Sequence, residues 1–254
     1  MAGGVSMAEQ PDAGRVQLLA DPLHPRRRRL LLARPGKANA LDADMVGAMV
    51  DALEAVAADP PALLVVEGSG RNFCAGFDFT GFEAASEGDL LWRFVAIEQM
   101  LARVRSLPCP TVAVVRGGAF GAGADLVAAC TFRLAVPGAR MRFPGFRFGL
   151  ALGTRALAAL VGQQAAREIL LSGEVLDTDR ACALGLFTAQ LAESGLDAAL
   201  EAIEARYTTL EPSAVAIALR NTQPSTADAD LADLVRSVAR PGLHARIAAY
   251  RSAG

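Results

Sequence analysis

The chain has 254 residues, about half of them apolar (52%), with 25 Lys and Arg against 27 Asp and Glu and a formal net charge of −2. So even a balance excludes the basic field of a nucleic-acid or anionic-membrane binder, and no apolar run reaches the ~20 residues a membrane helix needs. Four scattered cysteines (Cys74, Cys109, Cys130, Cys182) and only two histidines (His24, His244) exclude a disulfide or zinc framework and a His-based triad. The expectations are a reducing cytoplasm and no metal.

In chain order, Met1–Gly14 is polar and Gly-rich and is expected to be a flexible tail. Arg26–Arg29, four consecutive arginines, reads either as a phosphate-binding patch or as a solvated strand entry, and the second reading is favoured because the charge is isolated. Leu30–Ala33 is a short strand. Asp42–Ala58 is an amphipathic helix, with Met45, Met49, Leu53 and Val56 at three- and four-residue steps. Leu63–Glu67 returns to the sheet, a strand–helix–strand unit that builds parallel pairing. Gly88–Leu107 is a second helix, ended by Pro108 and Pro110. Thr111–Val115 is a buried strand. It breaks on Gly117-Gly118 and continues through Gly121-Ala122-Gly123 into a small-residue helix, and Phe132–Val136 is the next strand.

Arg140–Gly153, dense in Arg, Phe and Gly, is the least regular part of the core. Thr154–Gly162, Gln164–Ser172 and Asp177–Gly185 read as short helices, with a strand near Thr188–Leu191. Leu196–Leu210, Pro212–Asn221, Ala229–Ala239 and Leu243–Arg251 read as a helical C-terminal part punctuated by prolines. The expected organisation is a tail over 1–14, an α/β core over 15–193 and a helical region over 194–254.

Two of these strands end in glycine-containing loops, Gly68–Phe79 and Gly117–Gly123. Most such turns only bend the chain. Two of them at neighbouring strand ends, however, can each aim one backbone N–H at a single carbonyl oxygen and stabilise an oxyanion without a charged side chain.

Asn72-Phe73-Cys74-Ala75-Gly76-Phe77-Asp78-Phe79 together with PTVAVVRGGAFGAGADL resembles the enoyl-CoA hydratase/isomerase (crotonase) family. Arg34–Asp42 (RPGKANALD) resembles the family's RPxxxNAL segment, and Leu170–Glu174 with Ala181 and Leu184-Gly185-Leu186 resembles its LLTG…GLV segment. The match runs from about Gly14 to Leu191. It implies an α/β fold whose core is a ββα superhelix, with a C-terminal region that assembles trimers, often paired into hexamers. The implied partner is an acyl-CoA substrate, with coenzyme A carried as part of the thioester and no permanently bound cofactor.

Carried over residue by residue, the resemblance makes the amides of Phe77 and Ala122 the two oxyanion donors. Alanine replaces the usual glycine at the second place and keeps the N–H. Lys37, Ala38, Asn39, Leu41, Ala75 and Asp78 match positions that contact the CoA adenine and pantetheine, although for Asn39 and Asp78 a loop latch is an equal reading. Phe77, Phe143, Phe146, Phe148, Arg142 and Arg147 are expected around the acyl group.

The departure concerns proton transfer. The family's hydratases use two glutamates; here the first is Asp125, and the second, directly after Pro144, is Gly145, which cannot move a proton. This leaves an acyl-CoA isomerase, decarboxylase or lyase with one acid, or an ordinary hydratase drawing a displaced acid from Glu83, Glu87 or Glu98. The third reading is a non-catalytic acyl-CoA-binding or assembly subunit, in which Asp125 only serves a helix start.

Overall fold

The apolar runs pair into one six-stranded sheet in the computed structural model, which describes residues 15–223 and 226–253. The expected tail lies outside those residues. Strand β1 (Val16–Ala20) runs antiparallel to β2 (Arg27–Leu32). From β2 the sheet continues all-parallel through β3 (Leu63–Gly68), β4 (Thr111–Val115), β6 (Phe132–Ala135) and β8 (Ala189–Gln190). Strand β1 went unread because Val16-Gln17-Leu18-Leu19-Ala20 is a half-exposed edge with no clean alternation.

The central strands read as unbroken apolar runs because both faces of the sheet are covered. Leu64, Val66, Ala113 and Val115 point into the main core, with Met45, Met49 and Leu53 of α1 (Ala43–Ala58) and Phe94, Ile97 and Leu101 of α2 (Glu87–Ser106). Leu63, Val65, Val112, Val114 and Leu134 point the other way, onto Leu196, Leu200 and Ile203 of α7 (Leu196–Thr208). Both helices on the main face start on side-chain caps. Asp42 accepts from Met45 N (2.9 Å), and Ser86 forms a reciprocal box with Asp89. Each such cap contributes about 1 kcal/mol.

The C-terminal helices are part of this packing. Beyond α7, helix α9 (Ala227–Val238) lies against α2, and Leu234, Val238, Leu243 and Ile247 belong to the main core cluster. Packing therefore shows no boundary at 193/194. α8 (Pro212–Thr222) and α10 (Leu243–Ser252) complete the region.

The arginine run corrects the expectation of a solvated entry. Strand β2 begins at Arg27, not Leu30, and Arg27 is fully buried, 2.8 Å from Glu204 of α7 and 3.6 Å from Asp21. Arg29 pairs with Asp21 and Glu67 (3.0 Å each), and Arg116 shares Glu67 at 3.0 Å. Arg27 and Arg29 form an ion network that fastens β2, β3 and α7 together, while Arg26 is exposed and Arg28 pairs with exposed Asp59. A fully buried charge is tolerable only when paired in this way.

Candidate active site

The loop after β3 and the turn after β4 lie side by side. Cys74 N donates to Gly118 O (3.2 Å) and Phe120 N donates to Cys74 O (2.9 Å), so the loop runs parallel to a three-residue strand, β5 (Gly118–Phe120), inside what the sequence showed only as a glycine-rich turn. Two glycines permit this approach. A Cβ on Gly76 would sit 2.3 Å from Phe120 O and 3.2 Å from Ala122 N, and one on Gly123 would sit 2.3 Å from Cys74 O. Gly76 also needs its φ of +85°.

This packing fixes where two amides point. Leu41 N donates to Gly76 O (2.7 Å) and Asp78 N donates to Leu41 O (3.0 Å). The residue between them, Phe77, therefore turns its own N–H to the opposite side, because strand groups alternate. Ala122 is the first residue of α3 (Ala122–Ala129), where an amide has no intrahelical acceptor. Neighbouring groups are engaged: Gly121 N donates to Arg142 O (2.8 Å), and Gly121 O accepts from Ala124 N and Asp125 N. The left-handed conformation falls on Gly121 (φ +52°), leaving Ala122 outside the positive-φ region, so its methyl costs no strain. Among the described residues neither Phe77 N nor Ala122 N has an acceptor.

Both residues line a cleft of about 240 Å³ walled largely by phenylalanines. Phe77 is stacked on Phe94 (centroids 4.3 Å, planes 20° apart) with the Arg93 guanidinium 4.2 Å above its ring, which holds the loop in place. The opposite wall is β7 (Arg140–Arg142), paired with β5 so that Arg142 faces Phe120, followed by Phe143–Phe146, Phe148 and Leu150. Gly145 lies on that wall and brings no carboxyl. Arg147 stays outside it, exposed and donating to Ser172 O (2.6 Å).

Asp125 is the one carboxyl lining the cleft, on the first turn of α3 and only 6% exposed. Its carboxyl accepts no hydrogen bond from a described residue. Gly153 presses on it so closely that a Cβ there would lie 2.2 Å from Oδ1. Burial, reinforced by the charge of Glu98 and only partly offset by Arg105, pushes its pKa well above the usual carboxylate range. Glu98 of α2 is itself buried, 2.8 Å from Arg105, and burial raises its pKa as well, with Arg105 and the Gly153 backbone acting in the other direction.

The expected CoA-contacting residues divide. Ala75 is exposed at the cleft edge, its N–H on Ala38 O (2.9 Å), and Lys37 is exposed beside it. For Asn39, Leu41 and Asp78, by contrast, the side chains are buried and hold the loop together. Asn39 is fully buried, with Nδ2 donating to the carbonyls of Ser69, Asn72 and Phe73 and Oδ1 accepting from Arg34 N. Leu41 is 1% exposed. Asp78 pairs with Arg34 at 2.6 Å; burial works to raise its pKa, but hydrogen bonds from Thr80 and the Arg34 charge outweigh it and hold the carboxyl at about 2.

Of the candidate displaced acids, Glu83 pairs with exposed Arg251 and Glu87 lies beside His244, away from the cleft; Glu98 reaches Asp125 only from behind. Tyr250 of α10 also lines the cleft, 5.1 Å from the Phe148 ring, and nothing in its local sequence announces this.

Comparison with known proteins agrees with this geometry. The family model for enoyl-CoA hydratase/isomerase matches residues 29–233. An enoyl-CoA hydratase/isomerase family structure from Bordetella parapertussis superposes with a TM-score of 0.89 at 42% identity, covering 93% of this chain and 98% of that one. A Mycobacterium leprae protein named for enoyl-CoA hydratase is 33% identical over 196 residues, 74% of this chain and 76% of its own. The ethylmalonyl-CoA decarboxylase of Gallus gallus is 35% identical over 142 residues, 54% of this chain and 48% of its own. The chain belongs to the enoyl-CoA hydratase/isomerase (crotonase) family, with the fold of that family and an acyl-CoA thioester enzyme's ancestry.

Proposed function

We propose that the cleft stabilises the enolate of an acyl-CoA thioester with one acid in place of the usual two. The thioester oxygen sits between Phe77 N–H and Ala122 N–H, each contributing a few kcal/mol as negative charge gathers on that oxygen. Asp125, whose proton affinity is raised by burial, acts as the acid that gives its proton to the enolate carbon and is left as a carboxylate when the carbonyl reforms. Hydration would need a second carboxyl to activate water, and Gly145 supplies none. Two reactions suit a lone carboxyl: isomerisation of a double bond, in which Asp125 as the carboxylate takes the α-proton and returns it to the γ-carbon, and loss of CO2 from a malonyl-type thioester, in which C–C cleavage itself delivers the electron pair and Asp125 as the acid protonates the enolate carbon. The likeness to an ethylmalonyl-CoA decarboxylase supports the second. The observation that carries the reading is the pair of unpartnered amides in one cleft with a single carboxyl.

The test follows crotonyl-CoA, 3-butenoyl-CoA and methylmalonyl-CoA by NMR in D2O. The expected result is deuterium delivered to the acyl chain of one of the last two, lost in Asp125→Asn, with crotonyl-CoA hydrated far below ordinary hydratase rates. Hydration at those rates would overturn the one-acid reading. Inertness towards all three, with CoA still raising the melting temperature, would favour a non-catalytic binding subunit.

A further inference from the structure

Asp125 and Arg142 are the two residues with charged side-chain types among those lining the cleft. Arg142 is partly buried, pairs in register with Phe120 of the cleft wall, and lies one hydrogen bond from the Ala122 turn through its carbonyl. Its Nε donates to Gly173 O at 2.8 Å, at the end of α5 (Gln163–Ser172), whose Leu170 also lines the cleft. That bond lays the guanidinium along the cavity wall. Nη1 and Nη2 make no hydrogen bond or ion pair with any described residue.

Other inward-lying arginines among the described residues have partners, although Arg27 Nη1 and Arg246 Nε make no hydrogen bond. Arg27, Arg29, Arg34, Arg105 and Arg116 have carboxylates within 4.0 Å. Arg133 spends its donors on four backbone carbonyls, those of Leu186, Cys130, Thr131 and Gly185. An arginine that lines the cleft, is held through Nε and has no described partner on either Nη is built to take an anion in bidentate fashion.

We infer that the acyl group this cleft accepts carries a carboxylate, held by Arg142. The inference rests on the acyl-CoA reading above and narrows its substrate class to carboxy-acyl thioesters. The competing source of negative charge is a phosphate of coenzyme A itself. The acyl end is favoured because Arg142 stands beside the Ala122 turn, on the wall that also carries Gly145, whereas the expected CoA path runs over Lys37, Ala38 and Ala75.

The experiment measures dissociation constants by calorimetry for malonyl-, succinyl- and glutaryl-CoA against propionyl-, butyryl- and pentanoyl-CoA of matching chain length. At least one carboxylated thioester is expected to bind about 10-fold or more tightly than its uncharged counterpart, the usual worth of a charge-assisted pair. In Arg142→Leu that ratio is expected to fall to about one, and Arg142→Lys, which keeps the charge but not the fork, to retain part of it. Equal binding of charged and uncharged members by the unmodified protein would overturn the inference, whatever the variants do. Loss of affinity by Arg142→Leu for both series alike would assign the cation to a CoA phosphate and overturn it too. Failure of all six thioesters to bind would sink the acyl-CoA reading itself.

Discussion

The two walls of the cleft are made of different material. One, residues 74–79 with 118–125, presents main-chain amides fixed by strand pairing, glycine contacts and a stacked ring. The other, residues 140–153, presents side chains: an arginine, phenylalanines, and a glycine where a carboxyl would act. The first wall tolerates side-chain change, since Ala122 keeps the N–H that matters and sits at unstrained φ. On the second wall, in the one-acid reading proposed above, the side chain is the function, so one substitution would change the reaction. The difference suggests how a fold can keep thioester polarisation while its proton chemistry drifts.

The sharpest way to break this comparison is to remove a donor from the first wall without touching a side chain's chemistry. Ala122→Pro does so at the first position of a helix, where proline's φ and missing N–H are tolerated. The ring carbon then occupies the place of the N–H, and Gly76 has no Cβ to collide with it. We expect a loss of roughly 100- to 1,000-fold in turnover of whichever thioester proves active, with the circular dichroism spectrum unchanged. Near-normal turnover would mean that the Ala122 amide is not an oxyanion donor.

Much of that first wall was legible in the sequence, because glycines at strand ends and a helix of small residues have few other uses in combination. Gly76 and Gly123 are where they are because backbone approaches backbone there, and a local pattern records that. The strands β3 and β4 were readable for the same local reason. The latch was not: Asn39 and Asp78 could equally have been ligand contacts, and only the burial of Asn39 under three carbonyls and the pairing of Asp78 with Arg34 show that they hold the loop. The second wall was legible in part: Arg142, Phe143, Phe146 and Phe148 line the cleft as expected, whereas Arg147 does not. Tyr250 lies about a hundred residues from Arg142 in sequence, and Arg27 looks like surface until Glu204, far down the chain, is seen beside it. Long-range pairing leaves no local signal.

Asp125 is the point where the two walls meet, and it should carry a cost in stability. Its unfolded-state carboxyl titrates in the ordinary range, while its folded-state pKa lies well above it. Between those two values the folded protein binds the extra proton. Stability therefore falls as pH rises from the ordinary carboxylate range towards the raised value, and levels off beyond it. Asp125→Asn removes that penalty. We expect the variant to melt at a higher temperature than the unmodified protein at neutral pH, with the gain shrinking as the pH is lowered towards 4, even though catalysis is lost. A variant that melts lower at neutral pH would show that the carboxyl is stabilised by partners in a way the present geometry does not contain.

The smallest effect sharpens the comparison from behind the cleft. Glu98 touches no substrate; it acts on Asp125 through its charge, raising the pKa of the neighbouring carboxyl. If Asp125 works as the acid, turnover falls as pH rises through its raised pKa. Glu98→Gln removes the repelling charge, so the falling limb should move to lower pH while the plateau rate on its acid side changes little. The substitution also leaves Arg105 without its carboxylate, a destabilisation of about 1–3 kcal/mol that denaturant melts would register. Lost packing alone would lower stability without displacing the pH profile, so the profile is the decisive readout. An unmoved limb would mean that burial, and not Glu98, sets the proton affinity of the one acid in the cleft.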